Sequence, residues 1–297
     1  MSRFLRQTEA LLESIKFQHS VFALPFALTA ALLAARGMGL AATAAAWKLA
    51  WIIVAMVAAR SAAMAVNRLV DAPLDASNPR TALRAIPAGK LSKPFVAVFV
   101  AIAATVLVVA AWQLNPLCLQ LSPCVLGLAL GYSYTKRFTA LSHIALGAVL
   151  GSAPSAAWIA VRGTLDPAIL PLTAAVLLWT AGFDIIYSCQ DVAFDRRAGL
   201  HSIPARFGVA RALVISRLLH AGMVACLLAT WHGMGLGPLA LAGVIVAAGL
   251  LAYEQSLVRA GDLSRVGAAF FTVNGWISVL FFLSWAADLW LPIKAPA

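Results

Sequence analysis

The sequence predicts an all-α membrane protein with nine transmembrane helices, and three observations carry that prediction. Only 11% of its 297 residues are charged and 62% are hydrophobic, whereas a soluble domain carries about a quarter charged residues. The apolar residues gather into nine runs, 18–36, 44–66, 94–113, 116–134, 142–161, 168–190, 211–231, 237–257 and 267–290. Each is near the ~20 residues a helix needs to cross a hydrocarbon layer of ~30 Å. The runs are continuously apolar and rich in Ala and Leu, without the two-residue alternation of a membrane barrel strand. The loops between them leave no room for a second, soluble domain, so 1–297 reads as a single transmembrane domain.

Residues 1–16 alternate polar and apolar side chains and predict an amphipathic helix lying on the membrane surface. Lys16, Gln18 and His19 directly precede an apolar run long enough to cross, so that run is an uncleaved first span and not a signal peptide. The second and sixth spans each end in an acidic stretch, Asn67-Arg-Leu-Val-Asp71-Ala-Pro-Leu-Asp75 and Asp184-Ile-Ile-Tyr187-Ser-Cys-Gln-Asp191-Val-Ala-Phe-Asp195. Spacings of four residues put these groups on one helix face. The loops that follow, 67–93 and 191–210, are the longest polar segments, and Asn67/Asp71/Asp75 correspond to Tyr187/Asp191/Asp195 at a constant offset. Four spans separate the copies, which predicts two parallel four-helix pseudo-repeats plus one extra helix. Pro73 removes a backbone donor, predicting that the second helix ends or kinks near residue 71 and leaves Asp75 on a turn. Gly147 and Gly151 form a small-xxx-small pattern that permits close helix approach.

The net charge of +11 raises nucleic acid as a partner, and the distribution of that charge argues against it. With the N-terminus inside, seventeen of the 22 Lys and Arg fall on the inner side and only Arg36, Lys48, Arg162 and Lys294 on the outer. This positive-inside bias predicts an inner-membrane protein with its N-terminus and both acidic loops in the cytoplasm. Cys118, Cys124, Cys189 and Cys226 lie in or beside apolar runs without C-x-x-C spacing and read as small apolar fillers.

Five of the eleven acidic residues lie in the two stretches. Carboxylates are expensive beside a bilayer and mark functional positions there. Asn67, Asp71, Asp75, Asp191 and Asp195 are oxygen donors of the kind Mg²⁺ prefers, a cation that takes one or two carboxylates and completes its shell with water or phosphate. Two such clusters facing each other would clamp a diphosphate. The competing reading is solvated helix-end carboxylates paired with Arg68, Arg80, Arg196 and Arg197. Arg84, Lys136 and Arg137 suit diphosphate oxygens through charge-assisted bonds. Arg60, inside the second span, needs a partner, either an aromatic carboxylate or Asp184. His19, His143 and His201 lack ligand spacing and read as hydrogen-bonded residues. Tyr132, Tyr134, Tyr187 and Phe194 are aromatic faces able to stabilise a cation.

Taken with Asn78-Pro-Arg80-Thr81, Arg84-x2-Pro87-x-Gly89 and Asp195-Arg196-x2-Gly199-x2-Ser202-Ile-Pro204, the two stretches resemble the UbiA superfamily of intramembrane prenyltransferases. The similarity is greatest to enzymes acting on 4-hydroxybenzoate and to relatives acting on a dihydroxynaphthoate. The resemblance implies Mg²⁺ at Asn67, Asp71, Asp75, Asp191 and Asp195, with Asp71, Asp191 and Asp184 catalytic. It also implies a polyprenyl diphosphate donor drawn from membrane lipid, and an aromatic acid acceptor held by Arg60 and Tyr187. Arg68 stands where many members carry an acid, and Pro73 is unusual among them. The alternative from another class, an ion or solute transporter, expects acids near the midplane on broken helices, whereas these lie at helix ends beside basic loops.

Overall fold

The computed structural model describes residues 3–15 and 22–291; Lys16, His19, Lys294 and the start of the first predicted span lie outside them. Twelve α-helices are described. α1 (Arg3–Ile15) precedes α2 (Leu24–Ala35), α3 (Ala42–Ser77), α4 (Lys93–Leu114), α5 (Pro116–Thr135), α6 (Ser142–Arg162) and α7 (Leu170–Ser188). The short α8 (Val192–Arg197) and α9 (Ile203–Phe207) lead into α10 (Val209–Gly233), α11 (Pro238–Ser256) and α12 (Asn274–Trp290). Among the described residues eight helices are long and apolar enough to cross a membrane, and α2 is a shorter apolar helix inside the first predicted span. The chain is a multi-pass membrane protein.

Helix α3 continues through Pro73 to Ser77, so the helix does not end near residue 71 and Asp75 does not lie on a turn. Proline removes one donor and frees the carbonyl four residues back, that of Leu69, and here the loss falls in the last turns of the helix; Arg137 Nη2 donates to the adjacent Val70 carbonyl at 2.9 Å. Asp71 and Asp75 therefore project from one continuous helix. The loop predicted over 67–93 begins only at residue 78, and the one over 191–210 contains α8 and α9.

Each helix packs on the next from α3 through α7 and on through α10 to α12, and α2 closes the ring by touching α12, α6 and α3. α3 lies along α4 as α7 lies along α10, as a duplication predicts. The correspondence weakens at the repeat starts: α6 lies along α7, whereas α2 packs chiefly on α6. Lipid is as apolar as leucine, so packing density rather than hydrophobic transfer holds such helices together. A Cβ on Gly147 would stand 2.5 Å from the Leu177 carbonyl oxygen, and one on Gly151 2.9 Å from Leu177 Cβ, so these glycines set the α6–α7 approach. Phe26 fills the centre at 0% exposure, with its ring 4.6 Å from that of Phe281 and 5.1 Å from that of Trp179. At the end of the bundle away from the acidic stretches, Asp288 of α12 accepts from the backbone N–H groups of Gly237, Leu239 and Ala240 at 2.7–3.2 Å. It thereby satisfies the exposed donors at the start of α11. α1 buries Leu11 beside Ala65, Leu91 and Val96 and leaves Leu5 and Leu12 exposed.

Candidate active site

The end of α3 supplies the first acidic stretch as one helical face. Asp71 keeps only 3% of its side chain exposed, which rules out a solvated helix-end role. Its Oδ2 accepts from Lys136 Nζ at 2.7 Å and Asn67 Nδ2 at 3.0 Å, and its Oδ1 from Arg137 Nη2 at 3.1 Å. Both cations come from the end of α5 and the turn after it. One helical turn on, Asp75 accepts from Arg84 Nη1 with both oxygens, at 2.7 and 2.8 Å.

The second stretch is built differently. α7 stops at Ser188, a 3-10 turn covers Cys189–Asp191, and α8 resumes at Val192. Asp191 is held from the opposite half of the molecule: Asn78 Nδ2 donates to its Oδ1 at 3.2 Å and Arg80 Nε at 2.9 Å. Arg80 Nη1 also donates to the Tyr187 hydroxyl at 3.0 Å. Burial works against the Arg80 guanidinium, but the bonds to Asp191 and Tyr187 outweigh it and hold the proton more tightly than in a free arginine. Asp195 accepts from Ser202 Oγ at 2.8 Å.

These groups surround one chamber of about 220 Å³, lined by Asp75 and Arg84 from the first half and by Asp184, Asp191 and Asp195 from the second, with Lys136 between them. Asn67, Arg80 and Tyr187 line it too; Asp71 lies behind, enclosed by its partners. A second cavity of about 300 Å³ is almost wholly apolar and holds Arg60. Tyr132 and Leu146 line both spaces and form the seam between them. Arg60 does not pair with Asp184: its Nε is buried without a hydrogen-bond partner, and Asp184 instead meets His143, Nδ1 to Oδ2, at 2.6 Å. Tyr187 stands in the acidic chamber with its ring centre 4.3 Å from that of Phe270. Tyr134 is exposed beneath Arg137. Of the arginines offered as neutralising partners, Arg80 alone pairs with a motif acid, while Arg68, Arg196 and Arg197 donate to backbone carbonyls.

The chain after α8 ties the site together through three consecutive residues. His201 N donates to the Lys136 carbonyl at 2.7 Å, Ser202 Oγ to Asp195, and Ile203 N to His143 Nε2 at 3.3 Å. Sequence reasoning assigned no site role to Asn78, Arg80, Ser202 or His143. The first three sit inside the polar strings beside the acids, which is the signal available for them.

Among the described residues no three acidic, His or Cys side chains converge into a ready-made cation cage. The donor set of the two stretches is all oxygen, the kind a hard divalent cation takes together with phosphate oxygens. Asn67, Asp71, Asp75, Asp191 and Asp195 would hold it.

Paired aspartate stretches and a ring of cations above an apolar intramembrane cavity define an intramembrane prenyltransferase architecture. The chain belongs to the UbiA prenyltransferase family, whose model matches residues 23–285. It is 32% identical over 210 residues to the 4-hydroxybenzoate octaprenyltransferase of Vibrio cholerae serotype O1, covering 70% of this chain and 73% of that protein. The 4-hydroxybenzoate octaprenyltransferase of Saccharophagus degradans is 32% identical over 224 residues, 75% of this chain and 74% of that one. The apo structure of a UbiA homolog from Aeropyrum pernix K1 superposes with a TM-score of 0.82 at 35% identity, over 92% of this chain and 98% of that one. A UbiA homolog from Archaeoglobus fulgidus, bound to DMAPP and Mg²⁺, shares the fold at 19% identity with a TM-score of 0.70, over 98% of this chain and all of that one.

Proposed function

We propose that this chain transfers a polyprenyl group from a polyprenyl diphosphate to the ring of 4-hydroxybenzoate in quinone biosynthesis, with Mg²⁺ as cofactor. The observation that carries this reading is the single chamber where both aspartate stretches meet Arg84 and Lys136 directly above an apolar cavity. The named activity of the bacterial relatives supports the choice of acceptor. The charge distribution supports an inner-membrane protein with its N-terminus and chamber on the cytoplasmic side.

Mg²⁺ held by the two aspartate stretches would supply positive charge for the diphosphate leaving group. Asp71, Asp75, Asp191 and Asp195, with Asn67, hold that charge at the chamber. Arg84, Lys136 and Arg137 exchange carboxylate partners for diphosphate oxygens as the carbon–oxygen bond breaks, which is electrostatic catalysis. Tyr132, at the seam, turns an aromatic face to the allylic carbon as it becomes cationic. The isoprenoid tail occupies apolar space, and the dry walls keep water from the cation. Arg60 lines that cavity with a buried, unpartnered Nε and orients the acceptor carboxylate, leaving the electron-rich carbon ortho to the hydroxyl to attack; Tyr187 supports the ring from the chamber.

The test is mass spectrometry of products from purified protein given one polyprenyl diphosphate with 4-hydroxybenzoate or a dihydroxynaphthoate. Prenylated hydroxybenzoate that forms with Mg²⁺ and disappears with EDTA is expected. A naphthoate product alone reassigns the acceptor, and no product in any arm removes the proposal.

A further inference from the structure

We propose that His143 is a positioning residue that makes Asp184 the acceptor for the proton lost from the aromatic ring; this rests on the reading above. Prenylation forms a carbon–carbon bond from a ring π pair, and the carbon–oxygen bond of the donor breaks with its electrons going to diphosphate. The ring is then cationic and regains aromaticity by releasing the proton from the carbon that was attacked. A carboxylate without a cation or a metal beside it is the base suited to that step.

Asp184 meets this description better than the other four motif acids. Asp71 is bonded to Lys136 and Arg137, Asp75 to Arg84 and Asp191 to Arg80. Asp195 belongs to the metal-holding set and bonds to Ser202. Asp184 has one partner, His143, and its other oxygen makes no hydrogen bond while its side chain lines the chamber. It also stands inside α7, about 6 Å along the helix from its end at Ser188 at 1.5 Å per residue, whereas Asp191 lies beyond that end. His143 lies one turn of α6 from Leu146, which with Tyr132 is shared by the two cavities. Asp184 and His143 thus sit on the side where the acceptor ring would approach.

The tautomer of His143 follows from its neighbours. The Ile203 backbone N–H can only donate, so Nε2 accepts and the proton resides on Nδ1, aimed at Asp184 Oδ2. The ring is 3% exposed and cannot turn over without losing both bonds. A neutral imidazole donor orients the carboxylate without adding a positive charge that would oppose uptake of a proton.

Steady-state kinetics on His143→Ala, His143→Gln and Asp184→Asn test this, with 4-hydroxybenzoate carrying hydrogen or deuterium at the positions ortho to the hydroxyl. His143→Ala is expected to lower kcat about a hundredfold, the low end for a positioned base. The KM for either substrate should hold, and a larger ring-deuterium isotope effect than in the wild type should appear. His143→Gln, whose amide can donate to Asp184 and accept from Ile203, should recover most of the rate. Asp184→Asn keeps the shape without the basicity and should be as slow as His143→Ala, which keeps the test valid if the alanine variant fails to fold. Near-normal kcat in Asp184→Asn, a loss confined to KM, or an unchanged isotope effect overturns the inference. Wild-type protein that forms no product fails the underlying reading instead.

Discussion

The two aspartate stretches occupy corresponding places in the chain but are held in different ways. Asp71 and Asp75 project from an unbroken helix, are almost wholly buried, and are bound by Lys136, Arg137 and Arg84. Asp191 closes the 3-10 turn that interrupts the helix, and Asp195 lies in the short α8 that follows. Asp191 retains 18% exposure and is held by Arg80 across the chamber, and Asp195 is held by a serine hydroxyl. A buried charge needs its partner far more than an exposed one does. The first stretch is therefore the more tightly held of the two, a floor, and the second, with fewer partners on more exposed groups, is the looser jaw.

The largest expected effects come from removing the acids themselves. Asp71→Ala and Asp191→Ala should each abolish turnover while leaving membrane insertion intact, as read by product formation in washed membranes alongside protein abundance. Next comes stability, where the halves should part. Removing Lys136 and Arg137 together strips a buried carboxylate of its cations and should cost about 3–5 kcal/mol, whereas Arg80→Ala should cost about 1 kcal/mol or less. Thermal unfolding in detergent measures both, and equal losses would erase the distinction between floor and jaw. Arg60→Ala should act on neither, raising the KM for the acceptor about tenfold, or ~1.4 kcal/mol. An unchanged acceptor KM removes Arg60 from that role. The smallest effect belongs to Ser202→Ala, which should raise the Mg²⁺ concentration needed for half-maximal rate while leaving both substrate KM values in place.

Much of this difference was beyond the reach of sequence patterns. Hydrophobic run length located the spans because crossing a bilayer imposes a minimum apolar length, and four-residue spacing placed the acids on helix faces. Pairing is another matter. Asp71 and Lys136, or Asp191 and Arg80, are far apart in the chain, and no periodicity links them. The expected helix end near Pro73 failed because propensity describes an isolated helix, while α3 packs along α4 and α5 and stays helical to Ser77. His143 was legible only as one histidine at a helix start; its bonds to Asp184 and Ile203 depend on how α6, α7 and α9 meet. Asp184 looked like a partner for Arg60 because both are intramembrane charges, and the separation of the two cavities assigns them to different spaces.

A double-mutant cycle on ligand binding probes the shared grip most directly. Calorimetry would give the affinity of a non-reacting prenyl diphosphate analogue, with Mg²⁺ present, for wild type, Asp71→Asn, Asp191→Asn and the double variant. If one diphosphate is held by both stretches, each single change should lose nearly as much affinity as the pair, a strong departure from additivity. Additive losses, or a single change without effect, would mean that the two stretches do not act on one ligand.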